Sequence, residues 1–304
     1  MPYLYRMFSG PWHTLISHSD VIGYLRRPIL NMKRVYLLVV LTVISLAAHA
    51  QKGYELGGMV GISNYAGDIN PNFSFKTPGY SICGVGRYNF NARTSLRMDV
   101  GAGRLIGKDQ VSENLFQQAR NLSFRTDFLD AAINFEFNFF NLVHGSRDQY
   151  FTPYVFGGLA FAYYNPRANL DGTWYALRPL GTEGQLNGQE YARVTGGLTY
   201  GMGIKLDFSY EWSLNVELSV RQMGTDYLDD VSSVYPDMFE LEARRGDIAV
   251  QLSDRSPELG IEPIGEPGRQ RGISSNNDTY YSLRVGAVYY IGLLQCPALS
   301  RPRP

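Results

Sequence analysis

Residues 212–221 read Trp-Ser-Leu-Asn-Val-Glu-Leu-Ser-Val-Arg, and apolar and polar side chains alternate along the whole segment. In a β-strand every second side chain lies on the same face, whereas a helix would scatter these residues around its circumference. One face would carry Trp212, Leu214, Val216, Leu218 and Val220, and the other Ser213, Asn215, Glu217, Ser219 and Arg221. Such a segment is typical of a strand that crosses a membrane with its apolar face towards lipid.

Seven further segments show the same alternation. Three of them are as regular as the first, at residues 129–139, 194–207 and 281–291. Four are weaker but recognisable, at 53–65, 79–90, 93–105 and 150–164. The sequence therefore predicts eight strands, of which the segment 212–221 is the seventh.

The polar faces of the predicted strands carry charges of both signs near mid-strand: Arg97, Asp99, Glu136, Lys205, Glu217, Arg221 and Arg284. A soluble β-sandwich also alternates, and there these charges would form an ordinary solvated face. In an eight-stranded barrel they would instead fill a narrow lumen as ion pairs and leave no open pore.

The lengths of the connections favour the barrel. The second, fourth and sixth connections are short, at Asn91-Ala92, Phe140–Gln149 and Phe208–Glu211. The others are longer, and the last runs from about residue 225 to 278. Outer-membrane barrels have short periplasmic turns and long external loops. We therefore predict an all-β, eight-stranded antiparallel up-and-down transmembrane β-barrel with long extracellular loops, embedded in the outer membrane.

The N-terminal region has the pattern of an export signal. Met32-Lys33-Arg34 precedes an apolar run from Val35 to Leu46, and Ala48-His49-Ala50 forms a small-x-small cleavage site. We expect residues 32–50 to be a signal peptide cleaved after Ala50, and 1–31 to be a mis-called extension, although a genuine extension is the alternative. The barrel would then occupy 51–292, followed by a periplasmic tail at 293–304.

Charge and cysteine content exclude two classes of protein. The whole chain balances 28 basic against 28 acidic residues, and the predicted leader removes five of the basic residues but one acidic residue. The mature chain is therefore acidic, which fits nucleic-acid binding poorly. Two cysteines, Cys83 and Cys296, are too few for a disulfide scaffold, and we expect both to be free.

The long segment 225–278 is rich in acidic residues and contains Pro236, Pro257, Pro263 and Pro267. It is either a solvated loop that shields the barrel rim or a docking surface, with a short helix between Asp237 and Leu252. A weaker hypothesis is that Asp226, Asp229 and Asp230 bind a hard cation such as Ca²⁺.

The sequence gives no basis for catalysis. His144-Gly145-Ser146-Arg147-Asp148 contains the residue types of a catalytic triad, but a triad needs them to converge in space, which near-consecutive residues on a short turn do not do. Gly101-Ala102-Gly103 lies within a strand and does not precede a helix, unlike a phosphate-binding loop. We expect a protein that is not an enzyme and has no cofactor, metal or catalytic residue.

Several separated motifs resemble the PorG-like barrels of Bacteroidota: residues 54–71, 224–232, 252–256, Arg271-Gly272 and Cys296-Pro297. The resemblance implies an outer-membrane component of the type IX secretion and gliding machinery. Its partners would be periplasmic ring subunits, a lipoprotein and a second protein. Because those partners are periplasmic, contacts would come from the turn Phe140–Gln149 and the tail Leu293–Pro304 instead of the large loop. The tail also departs from barrels that end on an aromatic residue. The alternative is a stand-alone small barrel, similar to OmpW or OmpA, that binds a hydrophobic ligand or an extracellular surface.

Overall fold

The computed structural model describes residues 53–71 and 76–292. Within them, nine strands form: β1 (Gly53–Ala66), β2 (Gly79–Asn89), β3 (Thr94–Lys108), β4 (Ser123–Asn138), β5 (Phe151–Leu170), β6 (Thr173–Ala176), β7 (Val194–Asp207), β8 (Trp212–Met223) and β9 (Thr279–Ile291). Three short helices lie in the connections, at α1 (Leu115–Arg120), α2 (Met238–Arg245) and α3 (Asp247–Ser253). The predicted leader, the tail and Cys296 fall outside the described residues.

Eight of the strands close into a barrel. Strands β1 to β5 pair antiparallel in chain order, β5 pairs with β7, and β7, β8 and β9 follow. Strands β1 and β9 complete the ring, with Tyr54 opposite Ile291 at one end and Ala66 opposite Thr279 at the other. The predicted eight-stranded antiparallel up-and-down barrel is therefore confirmed.

The connections at one end of the barrel are residues 90–93, 139–150 and 208–211, and those at the other end are 67–78, 109–122, 171–193 and 224–278. The predicted alternation in length holds except that 139–150 and 67–78 both have 12 residues. Short turns of such barrels lie in the periplasm. The end with the short turns is thus the periplasmic end, and the long loops form the extracellular end.

The polarity of the barrel is inverted relative to a soluble protein. Met98 and Val100 on β3 are 57% and 64% exposed, while Arg97 and Asp99, which alternate with them, are 1% and 2% exposed. The same alternation runs along β4, β8 and β9. An apolar exterior around a charged interior is suited to the hydrocarbon core of a membrane, because the outer side chains contact lipid instead of water. The solvated face of a soluble sandwich is excluded.

One strand was not predicted. Strand β6 forms a hairpin with the extracellular end of β5, beyond the barrel wall. The two-residue turn is Asp171-Gly172, with positive φ at both positions (50° and 85°). This is the type I′ geometry that Asp-Gly favours, because its twist matches that of the paired strands.

The predicted helix between Asp237 and Leu252 is present as two helices, α2 and α3. Gly246 separates them with φ 83° and ψ 172°, a conformation that a helix cannot contain. Asp237 caps the first helix, because its carboxylate accepts hydrogen bonds from the backbone amides of Phe239 and Glu240. No helix within residues 53–71 and 76–292 is long and apolar enough to cross a bilayer.

The assigned lipid face predicts a depth-dependent effect of charge. Val216 lies mid-strand on the outer face of β8, and Val194 begins β7 at the extracellular end. We expect Val216→Arg to destabilise the barrel by roughly 2–4 kcal/mol and Val194→Arg by about 0–1 kcal/mol. Unfolding in lipid vesicles measures both, and equal costs at the two depths would contradict the assigned orientation.

Candidate functional site

Glu136 is the centre of an ion-pair network inside the barrel. Its carboxylate lies 2.7 Å from Arg87 Nε, 2.7 Å from Arg97 Nη1 and 2.7 Å from Lys205 Nζ. Arg97 also pairs with Glu217 on β8, and Tyr154 donates to that same carboxylate at 2.8 Å. The network therefore connects strands on opposite sides of the lumen.

A second layer of polar groups lies nearer the extracellular end. Arg221 Nε is 2.9 Å from Asp130, and the Tyr280 hydroxyl donates to the same carboxylate at 2.9 Å. Arg284 donates from Nε to Ser81 Oγ at 2.9 Å. The seven charges predicted to face the lumen all do so, and Glu55, Arg87 and Asp130 add to them.

The two layers fill the lumen. Each of the charged side chains Glu136, Arg97, Lys205, Glu217 and Arg221 is at most 1% exposed. Residues lining an aqueous channel would be accessible to water along it. Within the part of the chain that the structure describes, the barrel therefore has no open passage at this level.

The turn 139–150 covers the periplasmic end through His144. The imidazole Nδ1 lies 2.9 Å from Asp207 and Nε2 lies 3.3 Å from Glu55, and the ring stacks on Tyr290 at 4.2 Å. Burial lowers the pKa of His144, but the hydrogen bonds to Asp207 and Glu55 outweigh it and raise the pKa to about 9. His144 is thus protonated at neutral pH and binds the turn to the barrel as a buried cation.

The triad residue types in this turn do not converge. His144 points into the barrel. Ser146 Oγ instead accepts hydrogen bonds from the backbone amides of Asp148 and Gln149. The sequence predicts the turn as a partner contact, but it does not predict that His144 anchors the turn to the barrel. The sequence feature that could have indicated this role is that His144 is the sole histidine after the predicted cleavage site. Cys83 is a free, buried cysteine in β2, as predicted.

Residues 224–278 form a compact structure over the extracellular mouth, which we call the cap. Leu228 and Val231 pack with Tyr65, Phe124 and Phe128 of the barrel wall in one apolar cluster. Further cap residues are nearly inaccessible, among them Tyr235, Leu241, Ala249 and Leu252. The interpretation of this segment as a solvated loop is wrong, because its apolar residues complete the upper core of the barrel.

The acidic residues of the cap are used in internal hydrogen bonds. Tyr65 places its hydroxyl 2.6 Å from both Asp229 and Asp278. One phenol proton cannot serve two ionised carboxylates, and burial raises the pKa of both well above the usual range. Burial of the two neighbouring carboxyls thus favours the protonated form of the pair.

Asp230 points elsewhere, to Thr182 and to the Tyr191 hydroxyl at 2.6 Å. The carboxylates thus diverge, and the described residues contain no cluster of three or more His, Cys, Asp and Glu suited to a metal ion. The hypothesis of a cation site at Asp226, Asp229 and Asp230 is not supported.

Two arginines join the cap to the other extracellular loops. Arg271 lies 3.1 Å from Glu183 and donates to the Asp230 carbonyl. Arg120 of α1 pairs with Asp109 at 2.7 Å and donates to the Arg271 carbonyl. These bonds connect the cap with the loops 171–193 and 109–122, so that the extracellular end forms one packed layer.

Asp226 makes the cap sensitive to pH. It is 6% exposed, and a hydrogen bond with Ser232 offsets part of the effect of burial on its carboxyl. Burial raises its pKa to about 8, and the charge of Asp68 adds to the shift. An open cap would let Asp226 ionise near its ordinary pKa of about 3.9. The closed cap should therefore lose stability as pH rises from about 4 to about 8.

We expect Asp226→Asn to remove the part of this dependence that Asp226 contributes, because asparagine cannot ionise, while the buried Asp229 and Asp278 continue to contribute theirs. Hydrogen exchange of peptides from 224–235, compared between variant and parent at the same pH, should be similar at pH 5 and faster in the parent at pH 8.5. The exposed Asp247→Asn is the matched control. A constant difference between Asp226→Asn and the parent across this range would refute the assignment.

Together, the closed antiparallel ring, the apolar exterior and the charged interior define a small integral β-barrel of the outer-membrane class. The chain belongs to the family described as a domain of unknown function, DUF6089, whose model matches residues 33–243. Comparison with curated proteins gave no significant match.

Solved structures of small outer-membrane proteins show a distant likeness. Neisserial surface protein A is 10% identical with a TM-score of 0.40, over 79% of this chain and 99% of that one. OprG from Pseudomonas aeruginosa is 10% identical with a TM-score of 0.38, over 82% and 99%. The attachment invasion locus protein Ail of Yersinia pestis, solved with the heparin analogue sucrose octasulfate, is 10% identical with a TM-score of 0.38, over 79% and 99%.

Proposed function

We propose that this barrel is a non-enzymatic outer-membrane component of the type IX protein secretion system that anchors or organises the periplasmic ring. The filled lumen is the observation that supports an organising role most directly. An eight-stranded barrel is too narrow to pass a folded protein. This one is also occupied by buried ion pairs at mid-depth. Its role must therefore lie on its surfaces.

The turn 139–150 is the best candidate for the periplasmic contact. His144 and the buried Leu142 attach it to the barrel, so that its outer side keeps a fixed shape. Arg147, Asp148 and Gln149 are exposed on that side. A preorganised surface loses little conformational entropy on binding. The resemblance to PorG-like barrels supplies the partners, a ring lipoprotein and a second subunit.

Deletion of the gene tests the proposal. Type IX cargo should accumulate in the periplasm while other outer-membrane barrels remain at normal abundance, and a plasmid copy of the full chain should restore secretion. Copurification of the ring subunits from native membranes is the complementary measurement. Normal secretion after deletion, with no second copy in the genome, would overturn the proposal and favour a stand-alone binding barrel.

Export itself gives a further test. We propose that the mature chain begins at Gln51, because small residues at Ala48 and Ala50 flank the cleavage position. Mass spectrometry of the protein isolated from outer membranes should find this N-terminus. A mature chain that retains Met32 or any earlier residue would show that the leader assignment is wrong.

A further inference from the structure

Four cations lie on the outer face of the barrel at the extracellular ends of β3, β4 and β5: Arg104, Lys108, Arg125 and Arg167. They share the parity of the lipid-facing residues lower on the same strands, such as Val100 and Leu129. The register places Arg125 between Ile106 and Arg167 on the neighbouring strands. The barrel therefore presents a basic patch directly beyond its apolar band.

Three of these cations line a cleft of about 320 Å³. Arg104, Lys108 and Arg125 supply the charge, and Trp174 forms a wall from the β6 hairpin. The Arg125 guanidinium lies 3.9 Å from the centre of the Trp174 ring. The hairpin beyond the barrel wall thus turns a flat basic patch into a concave one.

The charge of the patch is poorly compensated. Arg104 pairs with Asp127 at 2.6 Å. In the described part of the chain, no other carboxylate forms an ion pair with any of the four cations. Arg125 Nε is inaccessible to water and lacks a hydrogen-bond partner among the same residues. The cleft therefore places Lys108 and Arg125, which have no carboxylate partner among the described residues, beside the apolar side chains Ile106, Phe124 and Trp174.

The depth of the cleft indicates which anion. The Arg104 guanidinium lies over the ring of Tyr80 at 5.3 Å, and Tyr80 and Tyr163 are exposed on the lipid-facing side of β2 and β5. Exposed tyrosines at the edge of the apolar band mark the interface between hydrocarbon and headgroups. Lipid phosphates lie at this level, and the cleft lies on the same outer face of β3 and β4 as the exposed Val100 and Leu129.

We propose that this cleft binds the phosphate of an anionic lipid in the outer leaflet. Arginine presents paired N–H donors that match phosphate oxygens, and lysine adds a point charge. Trp174 suits the same interface, since its ring is apolar and its indole N–H is polar. Binding would fix one lipid against β3, β4 and the β6 hairpin and leave the filled lumen unaffected.

Lipid retention by the purified full chain tests this proposal. The protein would be placed in nanodiscs of phosphatidylcholine with a minor fraction of phosphatidylglycerol, extracted in mild detergent and analysed for bound lipid by native mass spectrometry. We expect phosphatidylglycerol to be enriched, and the double variant K108Q/R125Q to reduce that enrichment about tenfold. The matched control R93Q/R147Q removes two exposed cations from the periplasmic end and should retain the lipid.

A second measurement keeps Lys108 and Arg125 in place, so it does not depend on whether the double variant folds. In a Trp12→Phe/Trp212→Phe background, brominated phosphatidylglycerol should quench Trp174 fluorescence more strongly than brominated phosphatidylcholine. Equal quenching by the two lipids, or equal retention in K108Q/R125Q and R93Q/R147Q, would overturn the proposal. Displacement of the lipid by inorganic phosphate alone would also overturn it, because it would identify a soluble anion as the ligand.

Discussion

Replacing Glu136 by alanine should lower the free energy of unfolding of the barrel by roughly 3–5 kcal/mol. The carboxylate compensates Arg87, Arg97 and Lys205 at once, and all three cations are buried. Its removal leaves like charges close together with no water to screen them. Denaturant unfolding in lipid vesicles, followed by the heat-dependent gel shift of the folded barrel, measures the loss.

Two controls separate charge from shape. Glu136→Gln keeps the size of the side chain but removes its charge, and should cost nearly as much as alanine. Glu240→Ala breaks the exposed ion pair with Arg244 in the cap and should have little effect, because exposed pairs are screened by solvent. If Glu136→Gln were as stable as the parent, the stabilisation would come from packing instead of the ion pairs.

Changing the exposed side of the periplasmic turn should abolish most type IX secretion, if the proposed function is right. Replacing residues 145–149 by a Gly/Ser linker removes Arg147, Asp148 and Gln149 but leaves the anchors Leu142 and His144 in place. The matched variant replaces 259–263, five exposed residues of the cap. Cargo in the medium and in the periplasm would be quantified for both, after checking that each barrel is folded in the outer membrane.

Deleting most of 230–275 provides a harsher comparison. It should hurt secretion less than the turn replacement, provided that the shortened barrel still inserts. Because the cap supplies part of the upper core, we expect this deletion to lower stability even where secretion is kept. Loss of secretion in the 259–263 variant alone would place the partner surface at the extracellular end.

The phase of each strand could be predicted because alternation is a local property of the chain. Glu217 and Val216 differ in environment solely through their parity in β8, and parity is visible in ten residues. The partners of the buried charges could not be predicted in this way. Glu136 and Lys205 are 69 positions apart in the sequence, and their contact depends on the curvature of the whole ring.

The ends of the barrel were the least predictable part. The cap is acidic and interrupted by prolines, which suggests solvent exposure when it is considered alone. Its burial results from contact with residues such as Tyr65 and Phe128, far away in the sequence. The β6 hairpin is a different case, since Asp171-Gly172 is a recognisable turn signal that does not depend on alternation.

The cross-lumen contacts bear on how the barrel assembles. Lys205 on β7 reaches Glu136 on β4, and Tyr280 on β9 reaches Asp130 on β4, so that strands without a shared edge are joined. An open sheet inserted strand by strand would expose these charges to hydrocarbon, where each is costly. The ring therefore gains its stability in one cooperative step, when the first and last strands meet. Substitutions at Glu136 or Asp130 should accordingly delay insertion, so that more of the newly exported chain remains bound to periplasmic chaperones.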